Sequence, residues 1–350
     1  MIVNRQALAT PGQPLVTLSE EAAVPTGHEI RLRVAAAGVC HTDVHLWEGY
    51  FNLGGGLKLD IRDRGIKLPH TLGHETVGVV EALGPEADGV NIGETCLVYP
   101  WIGCDNCPRC AMDEGHYCAD PRFLGVFRAG GFADTLTVPD AKYLFPLGEQ
   151  PPEVMAPLAC SGLTTFSALK KVEPELRSGP VLVIGAGGLG LMALSLIGKM
   201  GGQGAYIVEP NPERAEAALA SGAIEVLSPD LPLTEMLDRI GQQTAVLDLV
   251  GTDETARLGL DLLGKGGALV LVGMFGGELK VSVPATVLGG RRIIGSYVGS
   301  IADMQQLMDL VRDGGLPGVP VTTRPMEEAQ SALSELRAGH GVGRTVLVPR

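Results

Sequence analysis

Aromatic side chains are scarce. Phe, Trp and Tyr make up 4% of the chain, so the interior must be packed mainly from Val, Leu, Ile and Ala. Basic residues are also in deficit, with 27 Lys and Arg against 40 Asp and Glu and a net charge of −13. Clustered Lys and Arg are what grip a phosphate backbone, so no nucleic-acid partner is expected. No uninterrupted apolar run is long enough to span a bilayer, and Met1-Ile2-Val3-Asn4-Arg5 lacks the charged-then-apolar pattern of a signal peptide. These absences predict a soluble, cytoplasmic protein with no membrane partner. Its seven cysteines are then expected as metal ligands or core residues, because a reducing compartment disfavours disulfides.

What is present points to two domains, since 350 residues exceed what one compact core normally holds. Glycine is plentiful at 49 residues, about twice the usual ~7%, and falls between apolar runs, which suggests many tight turns. There is no internal repeat. The first part reads as short β-runs broken by Gly, Pro and Asn, at Ile30–Ala35, Thr76–Ala82, Cys96–Tyr99 and Phe132–Val138. That pattern predicts an irregular, mostly antiparallel β domain.

The character changes after about Pro157. Val181–Ile184 is a continuous apolar run, followed by a helical pattern from Gly188 to about Met200. A strand at Ala205–Val208 and a helix at Pro212–Ser221 come next, with further strands at Val246–Val250, Ala268–Val272 and Ile293-Ile294. Doubly buried strands alternating with helices predict a parallel sheet flanked by helices. A helix near Ala302–Arg312 and a strand at Thr345–Val348 close the chain and are expected to complete the first domain.

Gly185-Ala186-Gly187-Gly188-Leu189-Gly190 is a G-x-G-x-x-G between strand and helix. Gly185 permits the tight turn, Gly187 lets a pyrophosphate approach the backbone, and Gly190 lets helix pack on strand. The helix start then offers free N–H groups and a positive dipole end. In a glycine-rich chain the pattern alone says little, but the next strand ends in Glu209, where an acid would hold the adenosine ribose. The plainer alternative is a surface Glu at a strand end. A carboxylate there repels a 2′-phosphate, so NAD is expected over NADP. Arg214 is placed to cover the adenosine edge, and Val272 is expected to contact the cofactor.

Cys104-x2-Cys107-x2-Cys110-x7-Cys118 is the most specific signal. Four thiolates in a short loop can close a tetrahedron around Zn²⁺ with no open position, which makes the site structural. A ferredoxin cluster shares the opening spacing, but its next Cys follows after three residues and precedes Pro. A second set is dispersed: Cys40, His74 and Cys160. Two thiolates and an imidazole suit a catalytic zinc with one position open, although a buried Cys is commonly just a small hydrophobe.

Together these segments resemble the zinc-containing alcohol dehydrogenases of the medium-chain dehydrogenase family, over essentially the full length. Pro69-His70-Thr71-Leu72-Gly73-His74-Glu75, Tyr99-Pro100-Trp101-Ile102-Gly103-Cys104 and Pro157-Leu158-Ala159-Cys160-Ser161-Gly162-Leu163-Thr164-Thr165 look like its microbial, thermophilic-type branch. The resemblance implies an α/β protein. A mostly β, GroES-like catalytic domain would span about 1–161 and 298–350, and a doubly wound Rossmann coenzyme domain 162–297. It implies Cys40, His74 and Cys160 as catalytic zinc ligands, Glu75 as a carboxylate able to swing toward the metal, and Asp43 as a partner for His74. Thr42 and His45 would relay a proton by way of the cofactor ribose, while Arg344 and His41 would contact the pyrophosphate.

The implied reaction is reversible hydride transfer between a primary or secondary alcohol and NAD, giving an aldehyde or ketone. Zinc lowers the pKa of a bound hydroxyl, and the unperturbed pKa of ~6.5 suits His45 to release protons to water. Trp47, Trp101 and Phe123 are candidate walls of a substrate pocket, or else core. The Gly54-Gly55-Gly56 stretch, through about Lys67, is long and expected to border the cleft. A polyol or formaldehyde-type zinc dehydrogenase, or a noncatalytic NAD(P)H-binding protein, remains open. The resemblance implies a homotetramer, failing that a homodimer, with sheet extension at Arg292–Val298.

Overall fold

The computed structural model describes residues 1–315 and 318–349. Strand Ile30–Gly38 organises the first region. Its alternating Ile30, Leu32, Val34 and Ala36 are fully buried, as period-two patterning requires of a half-buried strand. On one side it pairs antiparallel with Glu75–Leu83, in a register that puts Gly38 opposite Glu75. Its other side is shared by Thr135–Val138 and, at the end, Arg344–Val348. The chain's last strand thus lies beside its third, and Arg344 comes within reach of Glu75. These strands, with Thr95–Val98, Leu144–Pro146 and Val321–Pro325, make a seven-stranded sheet.

One pair departs from the antiparallel expectation. Val321–Pro325 runs parallel to Arg344–Val348, and helix Ala329–Arg337 provides the crossover that a parallel pair needs. The strand expected from Phe132 begins at Thr135 instead. Gly131 and Phe132 donate to the carbonyls of Gly73 and Leu72, which draws them out of the sheet. Of the segment 298–350, residues 316, 317 and 350 lie outside the described residues.

The second region is a six-stranded parallel sheet in the order Glu225–Leu227, Ala205–Val208, Val181–Ile184, Gln243–Asp248, Leu263–Leu271, Arg292–Gly295. All four residues of Val181–Ile184 are buried, because helices cover both faces of the sheet. The chain order reverses between this strand and Gln243–Asp248, and a crevice opens at the carboxyl ends of a parallel sheet at such a reversal. Strand Gln243–Asp248 stops short of the expected Val250. The Asp248 carboxylate accepts the N–H groups of Val250 and Gly251, each at 3.0 Å, and turns the chain. No helix among the described residues is long and apolar enough to cross a membrane.

Candidate active site and metal centres

Helix His41–Glu48 starts where strand Ile30–Gly38 ends, and Cys40 is its N-cap. Cys160 occupies the same position on helix Ser161–Lys170, and His74 directly precedes strand Glu75–Leu83. Three element ends therefore converge. One ligand atom from each of Cys40, His74, Glu75 and Cys160 lies within 4.8 Å of the others, and all four residues are buried. The His74 Nδ1 faces the Asp43 carboxylate at 3.2 Å, while its Nε2 is buried without a partner. An orphaned imidazole nitrogen facing two sulfurs is a donor set built for a cation.

The sulfur spacing agrees. Neighbouring thiolates on a tetrahedral zinc with Zn–S ~2.3 Å sit about 3.8 Å apart, and Cys40 and Cys160 are separated by 4.0 Å. The Cys104 loop gives 4.0, 3.5 and 3.8 Å for Cys104–Cys110, Cys107–Cys110 and Cys107–Cys118. Backbone N–H groups of Cys104 and Asp120 donate to the Cys118 sulfur at 3.4 and 3.3 Å. This second cluster of four cysteines fits a closed structural site.

Glu75 sits under the first cluster, paired with the buried Arg344 and accepting the Ser161 N–H at 3.2 Å. A Cβ at Gly38 would come 2.1 Å from the Glu75 Oε2, so glycine there leaves the carboxylate its path. Burial pushes the Glu75 carboxyl up to about 7 despite Arg344.

Across the crevice, Gly185 turns the chain with φ +97, and a Cβ at Gly190 would lie 2.0 Å from the Gly185 carbonyl oxygen. A Cβ at Gly187 would meet nothing within 4 Å, which leaves that backbone open to a phosphate. Glu209 accepts the Ala186 N–H at 2.7 Å and the Asn211 N–H at 2.9 Å. Between the two regions lies a cavity of about 800 Å³. Cys40, Cys160, Thr42 and His45 line one side, and Leu189, Leu249, Val272 and Met274 the other.

Residues 26–149 match the family described as alcohol dehydrogenase GroES-like domain, and residues 188–313 the family described as zinc-binding dehydrogenase. An NAD-dependent alcohol dehydrogenase of Sulfurisphaera tokodaii is 38% identical over 344 residues, 97% of each chain. The chain belongs to the zinc-type medium-chain alcohol dehydrogenase family. A D-arabinose 1-dehydrogenase (NADP(+)) of Saccharolobus solfataricus is 27% identical over 357 residues, covering 100% of this chain and 99% of that protein. The crystal structure of the alcohol dehydrogenase from Aeropyrum pernix superposes with a TM-score of 0.88 at 28% identity, covering 99% of this chain and 100% of that one. The GroES-like region, the parallel-sheet region and the two metal clusters are those of a zinc-dependent, NAD-linked oxidoreductase.

Within that family frame, Cys40, His41, Thr42, His45, Trp101, Cys160, Leu189 and Val272 are the singled-out residues that line the cavity. The His41 ring stands edge-on to Phe275, with centroids 5.0 Å apart, and burial lowers its pKa to about 4. Burial also lowers that of His45, beside Phe51 at 5.3 Å. Gly188 opens helix Gly188–Lys199, where a Cβ would meet the Arg344 side chain at 2.6 Å. Arg344 thus runs along the glycine-rich turn but gives its guanidinium to Glu75 and to the Val39 carbonyl, at 3.0 Å from the latter. Arg214 donates to the carbonyls of Gly339 and Gly341 at 2.6 and 3.3 Å, tying its helix to the C-terminal segment.

Two aromatics offered as pocket or core do not line the cavity. Trp47 lies two residues after His45 on one helix, and residues so spaced do not share a face. Its indole N–H donates to the Gln13 carbonyl at 2.8 Å, away from the cleft. Phe123 stands behind Trp101, centroids 5.3 Å apart, and Trp101 alone of the three lines the cavity. Sequence reasoning missed Phe51, Arg64, Phe275 and Tyr297, which also line it. Arg64, Phe275 and Tyr297 sit outside regular elements and Phe51 in a three-residue strand, too short for periodicity to mark a facing direction.

Proposed function

We propose that this enzyme reversibly oxidises a primary or secondary alcohol to the aldehyde or ketone with NAD as hydride acceptor. The observation that carries the reading is a cavity with the Cys40 and Cys160 sulfurs on one wall and the carboxyl ends of the parallel strands on the other. Cys40, His74 and Cys160 would hold the catalytic zinc, and Cys104, Cys107, Cys110 and Cys118 the structural one. When bound, the catalytic zinc lowers the pKa of a hydroxyl and polarises a carbonyl.

The chain's own residues do the rest. Thr42, two residues from Cys40, offers a hydroxyl that would take the alcohol's proton in a hydrogen bond and, with NAD bound, hand it toward the ribose. His45, one helical turn on, would be the acceptor at the end of that relay; burial lowers the pKa of its ring and favours the neutral, accepting form. Glu75 pairs with Arg344 and would be the carboxylate able to turn toward the metal. Gly187 and the helix start behind it would receive the pyrophosphate, with His41 and Arg344 alongside, and Glu209 would select NAD through its charge. Apolar walls at Phe51, Leu59, Trp101 and Val126 favour aliphatic or aromatic alcohols over sugars.

Assembly follows from the sheet edge. Strand Arg292–Gly295 ends the parallel sheet, and beside it Val283, Val287 and Leu288 are 71%, 72% and 80% exposed. Sheet extension across this edge would bury them in a homodimer, and pairs of dimers would make a tetramer. The test of activity is NADH formation by zinc-loaded enzyme across simple alcohols, sugar alcohols and hydroxymethyl adducts. Absence of NADH with every simple alcohol defeats the reading.

A further inference from the structure

One charged side chain in the cleft has no part in that chemistry. Arg64 lies in the stretch that follows the hairpin of Tyr50–Asn52 and Lys58–Asp60, and it lines the same cavity as Cys40, Cys160 and Thr42. Its guanidinium lies 4.9 Å from the Phe51 ring centroid and 5.1 Å from that of Phe127. It also interacts with the side chain of Tyr297, whose ring centroid is 6.2 Å from that of Trp101. Trp101 in turn lies 5.5 Å from the His74 ring. A continuous wall therefore runs from the metal ligand His74, over Trp101 and Tyr297, to Arg64.

What Arg64 lacks is an acid. Its neighbour Arg62 is paired with Asp60 at 2.6 Å, whereas Arg64 forms no ion pair among the described residues. Among the described residues, no Asp or Glu lines the cavity. Arg64 is thus a fixed positive charge in a lining that holds no other Lys or Arg and no Asp or Glu among the described residues. Aromatic neighbours hold a guanidinium by cation–π attraction and leave its N–H fork able to bind an anion. A planar fork with restrained orientation is matched to the two oxygens of a carboxylate.

We propose that Arg64 is a specificity-determining residue that binds a carboxylate on the substrate. The preferred substrates are then hydroxy or oxo carboxylates with a short apolar spacer between the reacting carbon and the acid. The reacting end lies by Cys40, Cys160 and Thr42, the spacer passes Trp101 and Tyr297, and the acid meets Arg64. The carboxylate is held, not transformed. This rests on the alcohol oxidation proposed above.

The test compares kcat/KM for ω-hydroxyhexanoate and hexan-1-ol in zinc-loaded enzyme and in Arg64→Met and Arg64→Lys. The acid-over-alcohol ratio should fall about 10- to 100-fold in Arg64→Met, the range of a charge-assisted pair. It should fall less in Arg64→Lys, which keeps the charge without the fork. An unchanged ratio in both variants overturns the proposal. Hexanoate binding to the enzyme–NADH complex gives a readout independent of turnover. A tenfold or greater weakening in Arg64→Met supports the site, and equal affinity overturns it. If neither substrate is oxidised while hexanoate binding still depends on Arg64, the alcohol reading falls and the anion site stands. Preference for ω-hydroxyhexyl phosphate over the carboxylate would overturn the assignment to carboxylates.

Discussion

The Asp43 carboxylate faces the His74 imidazole at 3.2 Å, and both side chains are completely shielded from solvent. The same carboxylate accepts the backbone N–H of Cys40 and of Gly73, each at 3.0 Å. One acid therefore orients two of the three proposed ligands: it caps the helix that begins after Cys40 and turns the His74 Nε2 toward the sulfurs.

Asp43→Asn keeps the shape and removes the charge. Loss of such an outer partner typically weakens metal binding about 10- to 100-fold. Chelator competition should strip one zinc far more readily than in the parent, with the Cys104 cluster as an internal reference. Identical release curves would count against the arrangement.

The two cysteine clusters should respond differently to the same change. Cys160→Ser should abolish turnover while NADH binding stays nearly intact, as titration of NADH fluorescence would record. Cys107→Ser removes no reacting group, but it opens a closed site whose metal contributes to folding. Its expected signature is a lowered Tm and loss of one zinc. Normal turnover by Cys160→Ser would remove that sulfur from the ligand set.

Glu209→Ala should narrow the preference for NAD over NADP, read as the ratio of kcat/KM values. In the structure its carboxylate holds the Ala186 and Asn211 N–H groups, so weaker binding of both cofactors is expected too. A preference ratio equal to that of the parent would refute the ribose contact.

Burial depresses the pKa of His45 below 6.5, so the ring stays neutral further into acid than a free histidine. Its contribution to stability is complete above about 6.5 and is lost as pH falls through the lowered value. For catalysis, the neutral ring is the proton acceptor, and at high pH solvent can take that role directly. His45→Ala should therefore slow oxidation most at lower pH. A pH–rate profile superimposable on the parent's would eliminate the relay.

The four-cysteine loop and the glycine-rich turn were legible because their chemistry is local. Cys104 to Cys118 span one short loop, and Gly185 to Gly190 one strand-to-helix junction, so spacing along the chain already encodes spacing in space. The alternating strands and helices after Val181 were readable for the same reason, since burial of a four-residue strand leaves a contiguous apolar run. Cys40, His74 and Cys160 were nominated largely by family resemblance. Their meeting depends on the register of Gly38 against Glu75 and on a helix that starts after Cys160. Trp47 and Phe123 stood as pocket or core alike, and helix phase and the position of Trp101 leave both out of the cavity lining. Arg64 gave no signal beyond its place in a long loop. Local pattern determines which element forms and which face is apolar. Only long-range packing decides which side chains from different elements share one cavity, because those contacts are set by the fold as a whole.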